Sequence, residues 1–478
     1  MAHFVGGDVW VCGMGSRGDA QPLLALAAGL RDAGHQTLYL GNDDHAALAS
    51  AVGVPFQAIM WDFTAFLDGR TESGPAYRDR MAQGDTLGAV REQRRHNARF
   101  WGPHVKRFDD MLKDQKPDLL IYSLGVTALA CLASTKYGVP LLPAYVQMPP
   151  YRNCRSPPPG LGLPTLPCGL NGVWFSLISS ALWGTVLKHD GRTVQKAVGV
   201  DPMASVGKSN WEADFTIRRK VAHPCLVGTS PLIRELYHSE PPPQLRITGS
   251  WMLSEYIQLG GGNPFGGVEV KRRLDSFLGD GDAIYVGWGS MTCLSTEQMT
   301  GLAVAALQHA GKRGIVLGDR SDLPSKGPTW GNLAKYSEKN ILFLKSAPHA
   351  WLFPRCEAIV HHGGAGTTAA SLRSGRPTII TPFVGDQPTH SLWVNRLGVG
   401  IGFSKKLATI RPEELGDAIL KVTSDEKVQS CARKVGEITS KENGVENAVK
   451  VVEEQLELIR HDRSHPAASG MHGVVLQP

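Results

Sequence analysis

His361-His362-Gly363-Gly364-Ala365-Gly366-Thr367-Thr368 decides how this chain is read. A short apolar run, Ala358 to His361, precedes the glycines and reads as a buried strand. An apolar helical pattern, Thr367 to Ser374, follows. Glycines let backbone N–H groups approach an anion closely, and the helix that begins there points its positive end at that anion. Thr367 adds a hydroxyl donor. His362 adds an imidazole donor or a positive charge. No acidic residue competes within the loop, so its chemistry is that of a pyrophosphate site. A metal reading finds no third or fourth ligand at helical spacing.

Working outward, the same rhythm of short apolar runs and longer helical patterns surrounds this loop. Ala283 to Gly287, Ile315 to Leu317 and Thr378 to Thr381 read as strands, and Thr296 to His309 as a helix. Gly287-Trp288-Gly289-Ser290-Met291 repeats the strand–glycine device, and its backbone and Ser290 face the same phosphates or form a plain strand–helix turn. Pro382-Phe383-Val384-Gly385-Asp386-Gln387-Pro388 ends another strand, and its Asp386–Gln387 pair suits sugar hydroxyls or a turn. Earlier in the chain, Asp8 to Cys12, Thr37 to Leu40 and Leu119 to Tyr122 read as strands. Pro22 to Ala33 and Leu129 to Tyr137 read as helices. This β-α-β alternation predicts an α/β protein with parallel sheets covered on both faces.

A second glycine loop, Gly13-Met14-Gly15-Ser16-Arg17-Gly18, follows the first strand and opens a helix, with Asp43 and Asp44 about 25 residues on. On spacing alone it is a dinucleotide fingerprint. Asp19 argues otherwise, because it occupies the helix end where a pyrophosphate would bind, and like charges a few ångströms apart repel. Asp19 is then either a helix cap, worth about 1 kcal/mol, or a carboxylate aimed into a cleft as a general base.

The chain has 478 residues, which suits two domains. With 42% hydrophobic and 20% charged residues it buries a core without disulfides. A net charge of +6 and the lack of a basic arm do not argue for a nucleic-acid partner, so none is expected, and the mild positive bias fits a small anionic ligand. The eight cysteines form no C-x-x-C pair, and no basic n-region precedes an apolar run at the N-terminus. The expected compartment is cytoplasmic. The longest apolar stretch, Leu119 to Ala133, is too short and too polar to span a bilayer. Asp280-Gly281-Asp282 reads as a turn rather than a metal motif. Pro and Gly clusters divide the chain into residues 1–252, a linker at 253–282, a second domain at 283–444, and a C-terminal helix crossing back to the first domain plus a frayed tail at 445–478. Met148 to Pro167 reads as a long ordered loop, followed by an apolar helix from Val173 to Leu187.

Ser346-Ala347-Pro348-His349-Ala350-Trp351-Leu352-Phe353, the histidine–glycine loop, Gly375-Arg376-Pro377 and Gly385-Asp386-Gln387-Pro388 together resemble the donor-binding signature of UDP-sugar-dependent glycosyltransferases. Gly15-Ser16-Arg17-Gly18-Asp19-Ala20-Gln21-Pro22 resembles the N-terminal signature of the sterol glucosyltransferases, with bacterial glycopeptide glycosyltransferases nearby. Thr248-Gly249-Ser250-Trp251 matches as well, and similar segments run from about residue 8 to 400. The family's plant-type signature has Trp where this chain has Ser346 and Gln where it has His349. After Gln147-Met148-Pro149-Pro150 the match loosens.

The resemblance implies a GT-B fold, two Rossmann-like domains facing across a cleft. It implies that Asp19 is the catalytic base and that His362, Gly364, Gly366, Thr367 and Ser290 contact the diphosphate. Asp386 and Gln387 would contact the sugar, Ala347 and His349 would flank the uracil, and Ser16, Arg17 and Gly18 would complete the donor side. The implied partners are a UDP-sugar, with glucose expected, and a hydrophobic small-molecule acceptor such as a sterol, terpenoid or phenolic. No cofactor or metal is implied. Trp61, Phe66, Tyr145, Met148, Tyr151, Trp174 and Trp183 are candidate acceptor lining or core. The helix bearing Trp174 and Trp183 could instead rest on a membrane, though it shows no basic residue before Lys188. The rival functions are a nucleotide-sugar epimerase on the same fold, a nucleotide-sugar binding protein without turnover, and an NAD-dependent oxidoreductase using the first loop.

Overall fold

The computed structural model describes residues 6–83, 85–149, 155–204, 224–237, 240–260, 263–279, 281–289, 294–323 and 330–464. Among these, the strands form two separate parallel sheets. The first sheet holds β1 (Asp8–Cys12), β2 (Gln36–Asn42), β3 (Phe56–Met60), β4 (Leu119–Tyr122), β5 (Leu141–Tyr145), β6 (Cys225–Val227) and β7 (Leu245–Ile247) in the order β3-β2-β1-β4-β5-β6-β7. The second holds β8 (Ile284–Gly287), β9 (Gly314–Leu317), β10 (Ile341–Leu344), β11 (Ala358–His361), β12 (Thr378–Ile380) and β13 (Gly400–Gly402) in the order β10-β9-β8-β11-β12-β13. Each is the doubly wound order, in which the chain reverses direction between its first and fourth strands. That switch point lies between β1 and β4 in one sheet and between β8 and β11 in the other, and a crevice opens there at the carboxyl ends of the strands. Both glycine loops leave strands at these two points.

The strands are short and covered on both faces. Val9, Trp10, Val11 and Cys12 of β1 and every residue of β11 are buried, which is the reason such strands read as continuous apolar runs instead of alternating ones. Helix α1 (Arg17–Asp32) buries Leu23, Leu24, Leu26 and Ala27 against the first sheet. Pro22 sits within it, and its ring removes the N–H that would otherwise close on the Gly18 carbonyl.

Three features join the lobes. After helices α2 (Ala365–Arg373) and α3 (Gln387–Leu397) of the second lobe, helix α4 (Gly444–Ser464) returns to lie on α1. Val449, Val452, Leu456 and Ile459 of α4 enter the first lobe's core. The approach is close: a Cβ on Gly29 of α1 would stand 2.2 Å from Val445 Cγ1. A shared apolar cluster then sets Met148, Val227 and Ile233 against Ile380, Trp393 and Val394. The connecting stretch 253–282 is not bare chain. It carries helices Glu255–Gly260 and Gly267–Gly279, and Leu274 is fully buried in the second lobe's core. None of the described helices is long and apolar enough to cross a membrane.

Candidate active site

A cavity of about 440 Å³ lies between the lobes, where the two switch points face each other. Its first-lobe wall is the amino end of α1: Ser16, Arg17 and Gly18. Its second-lobe wall contains Ala347, His349, His362, Gly364, Gly366 and Thr367, so residues some 350 positions apart in sequence meet around one volume. Trp288 and Gly289 also line it, with Trp288 held by its indole N–H to Thr381 Oγ1 at 2.8 Å. Ser290, Tyr151 and Asp280 lie outside the described residues.

The anion-binding half is built from backbone. Gly364 is the N-cap of α2, so the first N–H groups of that helix have no partner within it and open on the cavity. His361 is fully buried and its Nδ1 accepts the Gly363 N–H at 3.0 Å, which tightens the turn. His390 Nδ1 lies 2.6 Å from the Gly363 carbonyl and 3.6 Å from Asp386 Oδ2. A carbonyl only accepts, so that nitrogen carries the proton and ties α3 to the glycine turn. Burial, and then His390, push His362 down to about 4. At neutral pH His362 therefore offers a neutral imidazole to the cavity rather than the positive charge its sequence position allowed.

Asp19 is not the helix cap. Ser16 holds that position, and Asp19 stands one turn in. Its Oδ2 accepts the Ser16 N–H at 2.9 Å and the Ser16 hydroxyl at 3.0 Å. Gly15 makes this possible with φ +132, and a Cβ there would stand 2.4 Å from Asp19 Oδ2. The carboxylate is open to the cleft yet flanked by protein from both lobes. Burial, and then the facing charge of Asp386, raise it to about 6. Asp386 is itself raised by burial, with His390 opposing the shift. Two carboxylates on opposite lobes thus look at the same space.

A buried clamp fixes the Gly15 peptide. Its N–H donates to Asn42 Oδ1 at 3.0 Å and its carbonyl lies 3.0 Å from His45 Nε2. Asn42 Nδ2 in turn donates to the Trp61 carbonyl at 3.0 Å. His45 Nδ1 accepts from the Asn42 N–H, with the Tyr39 hydroxyl also at 3.2 Å. His45 therefore carries its proton on Nε2, and burial lowers its pKa. Neither Asn42 nor His45 stands out in sequence; the one available signal is that Asn42 ends β2 and His45 lies three residues beyond it. His45→Ala is expected to lower turnover about tenfold, the worth of a lost buried hydrogen bond, with UDP affinity nearly unchanged. Steady-state kinetics beside UDP titration checks this split.

Several expected roles change. Arg17 lines the cavity, but its guanidinium hydrogen-bonds the Pro264 carbonyl and stacks 4.7 Å from the Phe265 ring, so it ties α1 to the connecting stretch. His349 is bonded at 2.9 Å to the Tyr285 hydroxyl and stacked on Phe353, which leaves its edge, not its Nε2, for a ligand. Gln387 Oε1 accepts from the N–H groups of Phe383 and Val384 at 2.7 and 3.0 Å, so that oxygen shapes the loop and is not free for a sugar.

The acceptor candidates divide further. Trp61 and Phe66 are core: both are buried in one cluster, and the Trp61 indole donates to Asn97 Oδ1 at 3.1 Å. Met148, with Tyr145 beside it, belongs to the apolar cluster shared by the lobes. Trp174 pins the Pro164 carbonyl at 3.0 Å, and Trp183 packs with Cys131, Leu187 and Met203. Residues the sequence did not single out also line the cavity, among them Gln258, Asp319 and Lys345. Asp319 follows the carboxyl end of β9, the edge where such sheets bind ligands.

Comparison with known proteins agrees with this fold. Residues 333–454 match the family described as erythromycin biosynthesis protein CIII-like, C-terminal domain. A sterol 3-beta-glucosyltransferase of Cryptococcus neoformans var. neoformans serotype D is 30% identical over 466 residues, covering 93% of this chain and 27% of the relative. One from Saccharomyces cerevisiae is 26% identical over 476 residues, covering 94% and 35%. The chain thus spans about a third or less of these relatives' length. Among solved structures, the calicheamicin glycosyltransferase CalG4 superposes with a TM-score of 0.59 at 16% identity, covering 95% of this chain and 99% of that one. The glycosyltransferase VinC in complex with DTDP does so with a TM-score of 0.54 at 16% identity, covering 95% and 99%.

Proposed function

We propose that the chain is a glycosyltransferase of the GT-B superfamily and that it moves a hexose, glucose from UDP-glucose, to a hydroxyl of a hydrophobic small molecule with inversion at the anomeric carbon. The observation that carries the reading is the approach of two helix ends: Asp19 follows the Ser16–Gly18 wall of the cavity on α1 and feels the charge of Asp386 from the other lobe, while the amino end of α2 forms the opposite wall. A base is supplied by one lobe and an anion cradle by the other.

In the proposed single displacement, Asp19 takes the proton of the acceptor hydroxyl as its oxygen bonds to the anomeric carbon. The bond from that carbon to the diphosphate oxygen breaks, and UDP leaves with the electron pair. The oxocarbenium-like transition state is that of glycoside chemistry in general. The N–H groups of α2, the Thr367 hydroxyl and the His362 imidazole stabilise the charge gathering on the leaving group. His362 enters neutral; a bound diphosphate beside it favours its protonated form, which strengthens the cradle as charge develops.

The acceptor class is supported by the sterol 3-beta-glucosyltransferase relatives. The compartment proposed is the cytoplasm, in keeping with the free thiols of Cys12, Cys168, Cys225, Cys356 and Cys431 among the described residues. Incubation with UDP-glucose and a pool of sterols, terpenoids and phenolics should yield products heavier by one hexose. Release of a rearranged UDP-sugar with no acceptor product would instead mark an epimerase. The cradle is made of N–H and side-chain donors, so turnover should be unchanged in excess EDTA. A loss restored by a divalent cation would overturn that part of the reading.

A further inference from the structure

The first lobe carries an apolar surface that the transfer reaction does not use. Helix Gly172–Leu182 passes through a wide turn at Trp183–Leu187 into Lys188–Val198, giving one continuous rod of roughly 40 Å. Its sequence-level pattern ends at Leu187, so the basic half of the rod became part of the helix only in three dimensions. Between Arg155 and Lys188 the chain has no Asp, Glu, Lys or Arg. Val173 and Leu177 on the rod, with Leu161 and Leu170 on the loop before it, are about half exposed, at 48%, 54%, 49% and 54%. Ala181 and Gly184 continue the exposed side.

Beyond the wide turn the exposed positions of the rod become Lys188, His189, Arg192, Gln195 and Lys196. The rod's one acid, Asp190, faces inward. It is buried, paired with Arg94 and bonded by Asn97 at 3.2 Å. The inner side is therefore pinned to the lobe, and the outer side grades from apolar to cationic.

We propose that this outer stripe is a docking surface for an anionic lipid bilayer, with Leu170, Val173 and Leu177 entering the acyl boundary and Lys188, Arg192 and Lys196 lying against the headgroups. The stripe's charge selects the occupant: apolar residues followed by a run of cations with no exposed acid match a negatively charged interface. The surface also reaches the cleft. Thr389 Oγ1 donates to the Pro159 carbonyl at 2.9 Å, and Gly160 packs against Thr389. Leu161 is thus one residue from a contact on α3, the helix capped by Asp386. A hydrophobic acceptor dissolved in the bilayer would meet the protein at the edge of its active site. Docking itself stands whether or not a sugar is transferred.

Sedimentation with phosphatidylcholine vesicles, with and without phosphatidylserine, tests the proposal in the absence of donor and acceptor. The protein should sediment with the anionic vesicles and be released by high salt. V173D/L177D should abolish sedimentation. K188E/R192E should weaken it on anionic vesicles by at least about 25-fold, roughly fivefold for each cation removed. All four positions are exposed, so both variants should melt like the parent. No sedimentation of the parent, or equal sedimentation of the variants, would overturn the proposal. A concentration-dependent dimer dissolved by V173D/L177D would overturn it too, by assigning the stripe to a second copy of the chain.

Discussion

Asp19→Asn should lower turnover by roughly 100- to 10,000-fold, the usual worth of a general base, while UDP binds as before. The amide keeps the shape of the side chain and still accepts from Ser16, but it cannot take a proton. Single-turnover kinetics and UDP titration on the same sample separate the two effects. The parent's pH profile should carry the same signature. Asp19 works only when ionised, and it is raised to about 6. Turnover should therefore fall as pH drops through about 6 and level off above it.

Stability should respond with the opposite sign. A carboxyl whose folded pKa lies above its unfolded value binds more protons in the folded state between the two values. Its ionised form therefore destabilises the fold at pH 8, and this penalty fades as pH falls through 6 toward the unfolded range. Asp19→Asn should accordingly raise Tm at pH 8 and lose that advantage near pH 4. A variant that melts earlier at pH 8 and turns over normally would remove Asp19 from both roles.

Gly366→Asp should weaken UDP binding by at least about 100-fold, because it places a fixed negative charge in the first turn of α2, where the diphosphate would sit. The site tolerates the atoms better than the charge. A Cβ at Gly366 would stand 3.6 Å from the Gly18 carbonyl across the cleft, which is ordinary contact. Gly366→Ala is the matched control and should bind UDP far more tightly than the aspartate variant. Calorimetric titration of both variants reads the difference. Equal affinities would move the anion site away from α2.

The sequence carried the fold in its strand–glycine–helix boundaries. Ala358 to His361 and Thr296 to His309 were legible to the residue, because a buried parallel strand must be a continuous apolar run and a capped helix announces its start. Ser295 and Gln298 make that cap explicit. β3, β5, β6, β7, β10 and β13 were not legible as strands; β6, β7 and β13 are only three residues long, too short for a period to show. The connecting stretch also misled, since its Pro and Gly clusters hide the helix Gly267–Gly279, whose Leu274 is buried in the second lobe's core.

The candidate site divides in the same way. Which residues can cradle an anion follows from local chemistry, because glycines, a helix start and a nearby hydroxyl all lie within eight positions. What each aromatic residue does cannot follow from local chemistry. Trp61 and Phe66 look like pocket residues until His96, Tyr77 and Asn97 surround them, and Met148 looks like an acceptor wall until Trp393 arrives from the other lobe.

By itself, then, the sequence determined two doubly wound halves and the positions of their glycine turns, since strand burial and helix starts are properties of a few neighbouring residues. Only the tertiary structure decided that Asp19 confronts Asp386, that His362 stays neutral, that Arg17 ties α1 to the connecting stretch, and that the Gly172–Val198 rod shows its cations outward. Charge state and exposure depend on atoms brought in from hundreds of residues away, and no local pattern encodes the dielectric they create.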